Sequence, residues 1–219
     1  MFYKYPKTFR ILLPEIDIKG KHFLSKADVK KLLGGKVTIL EKMDGANVGI
    51  IRTKNEFRLQ KRGSLVGAST HNQFNYFKAW SYNNYDKLMA IPKNTILFGE
   101  LCYAVHTITY DKLPDYFLAF AWLDRVSNTY YHWTDLVELC DKIGLSTVPH
   151  IYSGYTNKMD LFNMMPDPSH YSTHKSEGLI VWNYRQNMRG KIVREEFQKS
   201  MDDEGHWRTK PITVNELAK

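Results

Sequence analysis

Cysteine is nearly absent: Cys102 and Cys140 are the only two in 219 residues. Two thiols cannot build a Cys-rich zinc site or a disulfide framework, so a reduced, cytoplasmic setting is expected. No stretch approaches the roughly 18 apolar residues needed to span a bilayer, and no membrane partner is expected. The first residues, Met1 to Lys7, lack the apolar core of a secretory signal. Glycine and proline (13 and 8) are scattered, with no repeat and no linker-like run, so one domain over residues 1–219 is expected. Several signatures are missing too. There is no G-x-x-x-x-G-K-S/T, no G-x-G-x-x-G after a strand, no H-E-x-x-H, no C-x-x-C and no G-x-S-x-G. P-loop, dinucleotide-binding and zinc-hydrolase chemistries therefore lack their defining residues.

Positive charge is abundant and unevenly placed. The net charge is +8; residues 1–80 hold 16 Lys/Arg against 6 Asp/Glu, a balance of +10, while residues 81–219 hold 15 against 17. A basic first third implies a polyanionic partner, nucleic acid ahead of an acidic membrane. Apolar residues at 43% and charged residues at 25% are ordinary for a globular chain, so whole-chain disorder is excluded.

Local signals give an α+β chain with antiparallel sheets. Ser25-Lys26-Ala27-Asp28 resembles a capping box and opens a helix that Gly34-Gly35 stops. Val37 to Leu40 reads as a buried strand, and Asn47 to Arg52 and Glu56 to Lys61 as a hairpin turning at Lys54-Asn55. Residues 73–90 carry aromatics at helical spacing. Thr95 to Leu101, Tyr116 to Leu123 and Thr129 to His132 read as strands. Thr134 is expected to cap a helix that Gly144 ends, and Gly178 to Trp182 and Lys191 to Arg194 read as late strands. Strands come in hairpin-like pairs rather than strict βαβ alternation.

Four segments place a charge beside a glycine or at a strand end: Glu41 to Asn47, Phe98-Gly99-Glu100-Leu101, Ser176 to Val181 and Gly190 to Arg194. A lysine ending an apolar strand before a tight Asp-Gly turn is held rigidly. With cations nearby its pKa is expected to fall, which would supply a neutral amine nucleophile. Alternatively, Lys42 simply pairs with Asp44 or Glu41 at a hairpin.

Taken in order, these segments resemble the covalent nucleotidyltransferase superfamily of polynucleotide ligases and capping enzymes. Lys42-Met43-Asp44-Gly45 is similar to its nucleophile motif K-x-D-G. Phe98-Gly99-Glu100 resembles the third motif, Glu177-Gly178-Leu179-Ile180-Val181 the fourth, and Lys191 the first lysine of the fifth. The likeness spans residues 39–194. Within the superfamily the chain most resembles the ATP-dependent RNA ligases of the phage type. Asn47 closes the nucleophile motif as it does there. Lys61-Arg62-Gly63-Ser64, Tyr116 to Phe120, Val193 to Phe197 and His206-Trp207 add to the likeness.

That resemblance implies an antiparallel nucleotidyltransferase fold, likened to ATP-grasp, flanked by helices. It also implies a monomer acting on nucleic acid with 5′-phosphate and 3′-hydroxyl ends, RNA ahead of DNA. Lys42 would attack the α-phosphate of ATP; AMP would pass to the 5′-phosphate end, and the 3′-hydroxyl would displace it. In this picture Lys191 contacts the α-phosphate and Glu100 takes the ribose hydroxyls. Glu41 touches the adenine edge, and Asp44 belongs to the nucleotide-binding set. Phe120 stacks on the purine, with Phe117 on the opposite face because their separation is odd. Lys61, Arg62 and Arg194 bind phosphates of ATP or of the nucleic acid, and Asn47 helps place the reacting ends. Glu100 and Glu177 would hold Mg²⁺ or Mn²⁺ through waters, which would further favour the neutral Lys42 amine.

Two departures stand out. The second lysine of the fifth motif is replaced by Val193, with Arg194 following. Only 25 residues follow Arg194, too few for an OB domain, so weak, salt-sensitive nucleic-acid binding is expected. The alternatives are a nick-sealing DNA ligase, a GTP-using capping enzyme and a non-catalytic nucleic-acid-binding module derived from a ligase.

Overall fold

The computed structural model describes residues 2–12, 22–67, 72–197 and 212–219. His206-Trp207 lie outside them. Two sheets carry the fold. The first runs in the order β1 (Phe9–Arg10), β12 (Met188–Val193), β11 (Gly178–Asn183), β2 (Val37–Glu41) and β10 (His150–Gly154). The second runs β5 (Ser64–Leu65), β4 (Phe57–Lys61), β3 (Ala46–Arg52), β6 (Thr95–Leu101), β7 (Phe117–Asp124) and β8 (Thr129–Tyr130), with β9 (Ser146–Thr147) beside β7. Pairing is antiparallel except for β1 with β12 and β7 with β9. The α+β expectation holds.

Local chemistry explains the helices. In α1 (Lys26–Leu33) the Ser25 hydroxyl accepts from Asp28 N at 3.0 Å and donates to its carboxylate at 2.7 Å, closing the box read from the sequence. The aromatic stretch is two helices, α2 (Asn72–Asn83) and α3 (Tyr85–Ala90). The break comes at Asn84, whose side chain bonds back to Trp80 O at 3.0 Å and competes with helix continuation. Helix α4 (Trp133–Ile143) is capped by His132 rather than Thr134: its ring accepts from Thr134 N, while Asp135 accepts from His132 N. Gly144 ends it in the left-handed region at φ 68°. A short α5 (Lys158–Asn163) was not signalled by periodicity. No helix of the described residues is long and apolar enough to cross a membrane.

Each sheet has its own apolar layer. Phe77, Trp80 and Phe117 pack under the second sheet, while Leu32, Ile39, Leu179 and Ile192 form a smaller cluster under the first. Burying a side chain of this size contributes about 1.5–3 kcal/mol. Strand β2 leaves the first sheet at Glu41 and the chain re-enters as β3 of the second at Ala46. The four-residue link, Lys42 to Gly45, therefore crosses from one sheet to the other.

Candidate nucleotide-binding site

Lys42 is held by its backbone before its side chain is considered. Glu41 N donates to Pro149 O and Lys42 N to Gly178 O, both at 2.9 Å, so β11 and the residue leading into β10 grip the end of β2 from either side. The grip on β11 sets Lys42 against Glu177, and the Lys42 ammonium is ion-paired with the Glu177 carboxylate. Their side chains are only 19% and 8% exposed.

A cleft opens beside this pair, lined by Glu41, Lys42, Asn47, Arg62, Glu100, Phe120 and Lys191 from the set read in the sequence. Ladder register explains much of the convergence. Asn47 lies opposite Glu100 across β3 and β6, and Leu40 opposite Ile180 and Ile180 opposite Lys191 across the first sheet. Phe120 lines the cleft with its ring 5.3 Å from Tyr5, whereas Phe117 is fully buried on the other face, stacked on Phe77. The odd spacing does separate them. The Asn47 carboxamide oxygen is buried without a hydrogen-bond partner among the described residues, as suits a group awaiting a donor.

Other residues of that set are engaged elsewhere. Asp44 does not line the cleft; its carboxylate accepts from Thr107 N at 2.7 Å and Ile108 N at 2.9 Å, pinning a loop. Lys61 also lies off the cleft, its ammonium 5.5 Å above the Phe74 ring. The Arg194 guanidinium is engaged by the carbonyls of Ser176, Met165 and Pro166, each at 3.2 Å, and clasps the chain leading into Glu177. Its expected contact with nucleic acid gives way to this because three fixed carbonyls already surround the fork. Val193, in the place of the second lysine, is buried. The Glu41 carboxylate is fully buried and accepts from the Ser169 hydroxyl and from His170 N and Nδ1.

The wall opposite carries no motif. Tyr5, Pro6, Lys7 and Thr8 line the cleft, as does Trp182. Arg189 fastens that wall. It lies 4.7 Å from the Tyr5 ring centroid, 4.9 Å from Trp182 and 5.4 Å from Tyr130, and its Nη2 donates to Pro6 O at 3.3 Å. Trp182 could have been found by alternation, two residues past Ile180 on the same strand face. Tyr5 to Thr8 follow no periodicity.

Electrostatics reverse one expectation. Burial pushes the Lys42 ammonium toward losing its proton, but Glu177, Glu100 and Asp44 more than offset this and hold its pKa above the ordinary value. The carboxylates around it outweigh the cations. Burial raises Glu177, and it pushes Glu100 up to about 8, with Glu177 and Asp44 adding to the rise. Lys191 is pushed down to about 8 by burial and by Lys42.

Both carboxylates have raised pKa values, Glu100 in part through the charge of Glu177, and a cation would relieve them; hard oxygen donors suit Mg²⁺ or Mn²⁺. Among the described residues no group of three or more His, Cys, Asp or Glu could hold a metal ion. Glu100 and Glu177 would therefore share such an ion with water and a bound phosphate, as Mg²⁺ prefers.

The geometry agrees with comparisons to known proteins. The sequence model of the RNA ligase family matches residues 35–194. Among solved structures, a variant of the RNA ligase of Naegleria gruberi with AMP and Mn superposes at a TM-score of 0.71. The identity is 17%, over 92% of this chain and 59% of that one. Another variant of the same enzyme, with ATP and Mn, gives 0.67 and 17%, over 81% and 55%. This chain thus spans a little over half the length of those structures, and at such identity they speak for the fold. No curated protein matches the chain. With its model matched over most of the sequence and its motifs gathered at one cleft, the chain belongs to the RNA ligase family.

Proposed function

We propose that residues 1–219 form a single adenylyltransferase domain that seals RNA ends with ATP. The observation that carries this is Lys42, rigidly held at the floor of a cleft, with Glu177 on its amine and Lys191 and Glu100 beside it. In the first step the Lys42 amine, its proton released, attacks the α-phosphorus. The N–P bond forms and the P–O bond to pyrophosphate breaks. An oxygen of a 5′-phosphate then displaces Lys42, taking the AMP. A 3′-hydroxyl attacks that activated phosphate and AMP leaves with its electron pair.

Phe120 stacks on the purine and Glu100 accepts from the ribose hydroxyls. Glu41 fixes the wall at the adenine edge by holding Ser169 and His170 in place. Lys191 neutralises the α-phosphate, and Arg62, exposed at the turn after β4, meets the outer phosphates or the RNA end. Asn47 offers its unpartnered oxygen to the reacting groups. Glu100 and Glu177 would hold Mg²⁺ or Mn²⁺ through waters; when bound, the ion supplies positive charge where phosphate charge develops. The protein's task in such transfers is positioning and charge neutralisation. The N. gruberi structures were solved with ATP or AMP and Mn, which supports the choice of nucleotide and metal.

Incubation with α-labelled ATP and Mg²⁺ or Mn²⁺ tests the reading. The chain should acquire one label through an acid-labile, alkali-stable N–P bond, and Lys42→Ala should acquire none. No label on the parent chain, or label persisting on Lys42→Ala, would overturn it; the first outcome favours a non-catalytic nucleic-acid-binding module. Matched nicked duplexes with RNA or DNA at the 3′ side then decide between RNA and DNA, since only RNA offers a 2′-hydroxyl.

A further inference from the structure

Residues 212–219 lie along the loop that joins β6 to β7. Backbone bonds run from Val105 N to Thr213 O (2.8 Å), Glu216 N to Tyr110 O (2.9 Å) and Ala218 N to Leu113 O (2.8 Å). At the centre is Asn215, 1% exposed. Its Nδ2 donates to Cys102 O at 2.9 Å and its Oδ1 accepts from Tyr110 N at 2.8 Å. Its backbone N donates to Tyr103 O at 3.0 Å and its carbonyl accepts from the Tyr116 hydroxyl at 2.9 Å. A buried amide so fully satisfied has one arrangement open to it.

The loop it fixes reaches the nucleophile. The Tyr110 hydroxyl accepts from Asp44 N at 2.8 Å, and the Asp44 carboxylate accepts from Thr107 N and Ile108 N. The turn that begins at Lys42 is therefore bonded to the 105–110 loop at three points, and that loop is bonded in turn to Asn215. On the turn's inner side there is no slack: a Cβ on Gly45 would lie 2.6 Å from Leu101 O. Neither Asn215, Tyr110 nor Asp44 lines the cleft. Asp44 also reaches Lys42 by its charge; the uncharged Asn215 can reach it through placement.

We propose that Asn215 is a positioning residue, holding Lys42 in line with the α-phosphate through Tyr110 and Asp44. This rests on the adenylylation assigned above. It separates binding from reaction: a cleft that no member of the chain touches should keep its affinity for ATP, while the amine loses its alignment.

Two measurements on the full chain test it. Single-turnover adduct formation in Asn215→Ala should slow about tenfold or more at saturating ATP, with half-saturating ATP within twofold of the parent. Amide hydrogen exchange should speed up at Asp44, Thr107 and Ile108 and stay unchanged in β6. Tyr110→Phe, which keeps the ring and removes only the acceptor for Asp44 N, should slow the reaction similarly without freeing residues 212–219. Adding Asn215→Ala to it should cost little more.

Parallel loss of ATP affinity and rate would mark a general loosening and overturn the proposal. So would unchanged exchange at Asp44, or faster exchange with an unchanged rate. If the parent chain forms no adduct, the assigned reaction fails; the exchange data still decide whether Asn215 holds the turn.

Discussion

Glu177→Gln is expected to slow lysyl-AMP formation about a hundredfold or more at any pH, read as single-turnover labelling at saturating ATP. The direction is informative because Glu177 acts on Lys42 in two opposite ways. As the partner of the ammonium it keeps the amine protonated, so its charge opposes the attack. Were that its whole role, Gln would lower the Lys42 pKa, enlarge the neutral fraction and speed the reaction. The proposed second role, as an oxygen donor to a divalent cation with Glu100, predicts the reverse: the amine is freed but the developing phosphate charge goes unmet. A rate equal to or above the parent's would remove Glu177 from the metal site. A loss that raised Mn²⁺ recovers in part would support it.

Gly178→Ala should fail more completely. Gly178 sits at φ 156° with β12 directly against it, and a Cβ there would lie 2.0 Å from Ile192 O. Backbone cannot retreat as a side-chain tip can. The strained conformation and the overlap together should cost about 3 kcal/mol or more, lowering the midpoint of denaturant unfolding. The damage would not stop at stability. The Gly178 carbonyl accepts from Lys42 N, and Glu177 precedes it, so any shift of β11 moves both partners of the central ion pair. A variant with parental stability and parental labelling would show that β11 and β12 can separate locally, contrary to this account.

Elements whose signals are local were legible in the sequence. The Ser25–Asp28 box, the left-handed Gly144 and strand β6, running from Thr95 to Leu101, follow from capping, glycine conformation and apolar runs. Elements made by pairing at a sheet edge were not. Strand β1 has only two residues and exists because β12 offers an open edge, and β10 is half-exposed with little alternation.

The site divides in the same way. Glu100, Glu177 and Lys191 stand next to glycines and Lys42 just past the end of β2, and all four were legible as motifs. The tasks of Asp44 and Arg194 were not, because residue type gives a charge but not the carbonyls or amides that reach it first. The sign of the Lys42 shift depends on which charges fold close to it, and Glu100 and Glu177 are remote in the chain.

The pinning of Pro6 by Arg189 joins positions 183 residues apart. During synthesis the segment from Tyr5 to Thr8 must therefore wait, unable to complete its wall of the cleft, until β12 has left the ribosome. Sheet β3–β6–β7 can form well before then, since its strands lie close in sequence. The second sheet would thus stand as a scaffold early in synthesis, and the cleft would be walled on both sides only after β12 has emerged.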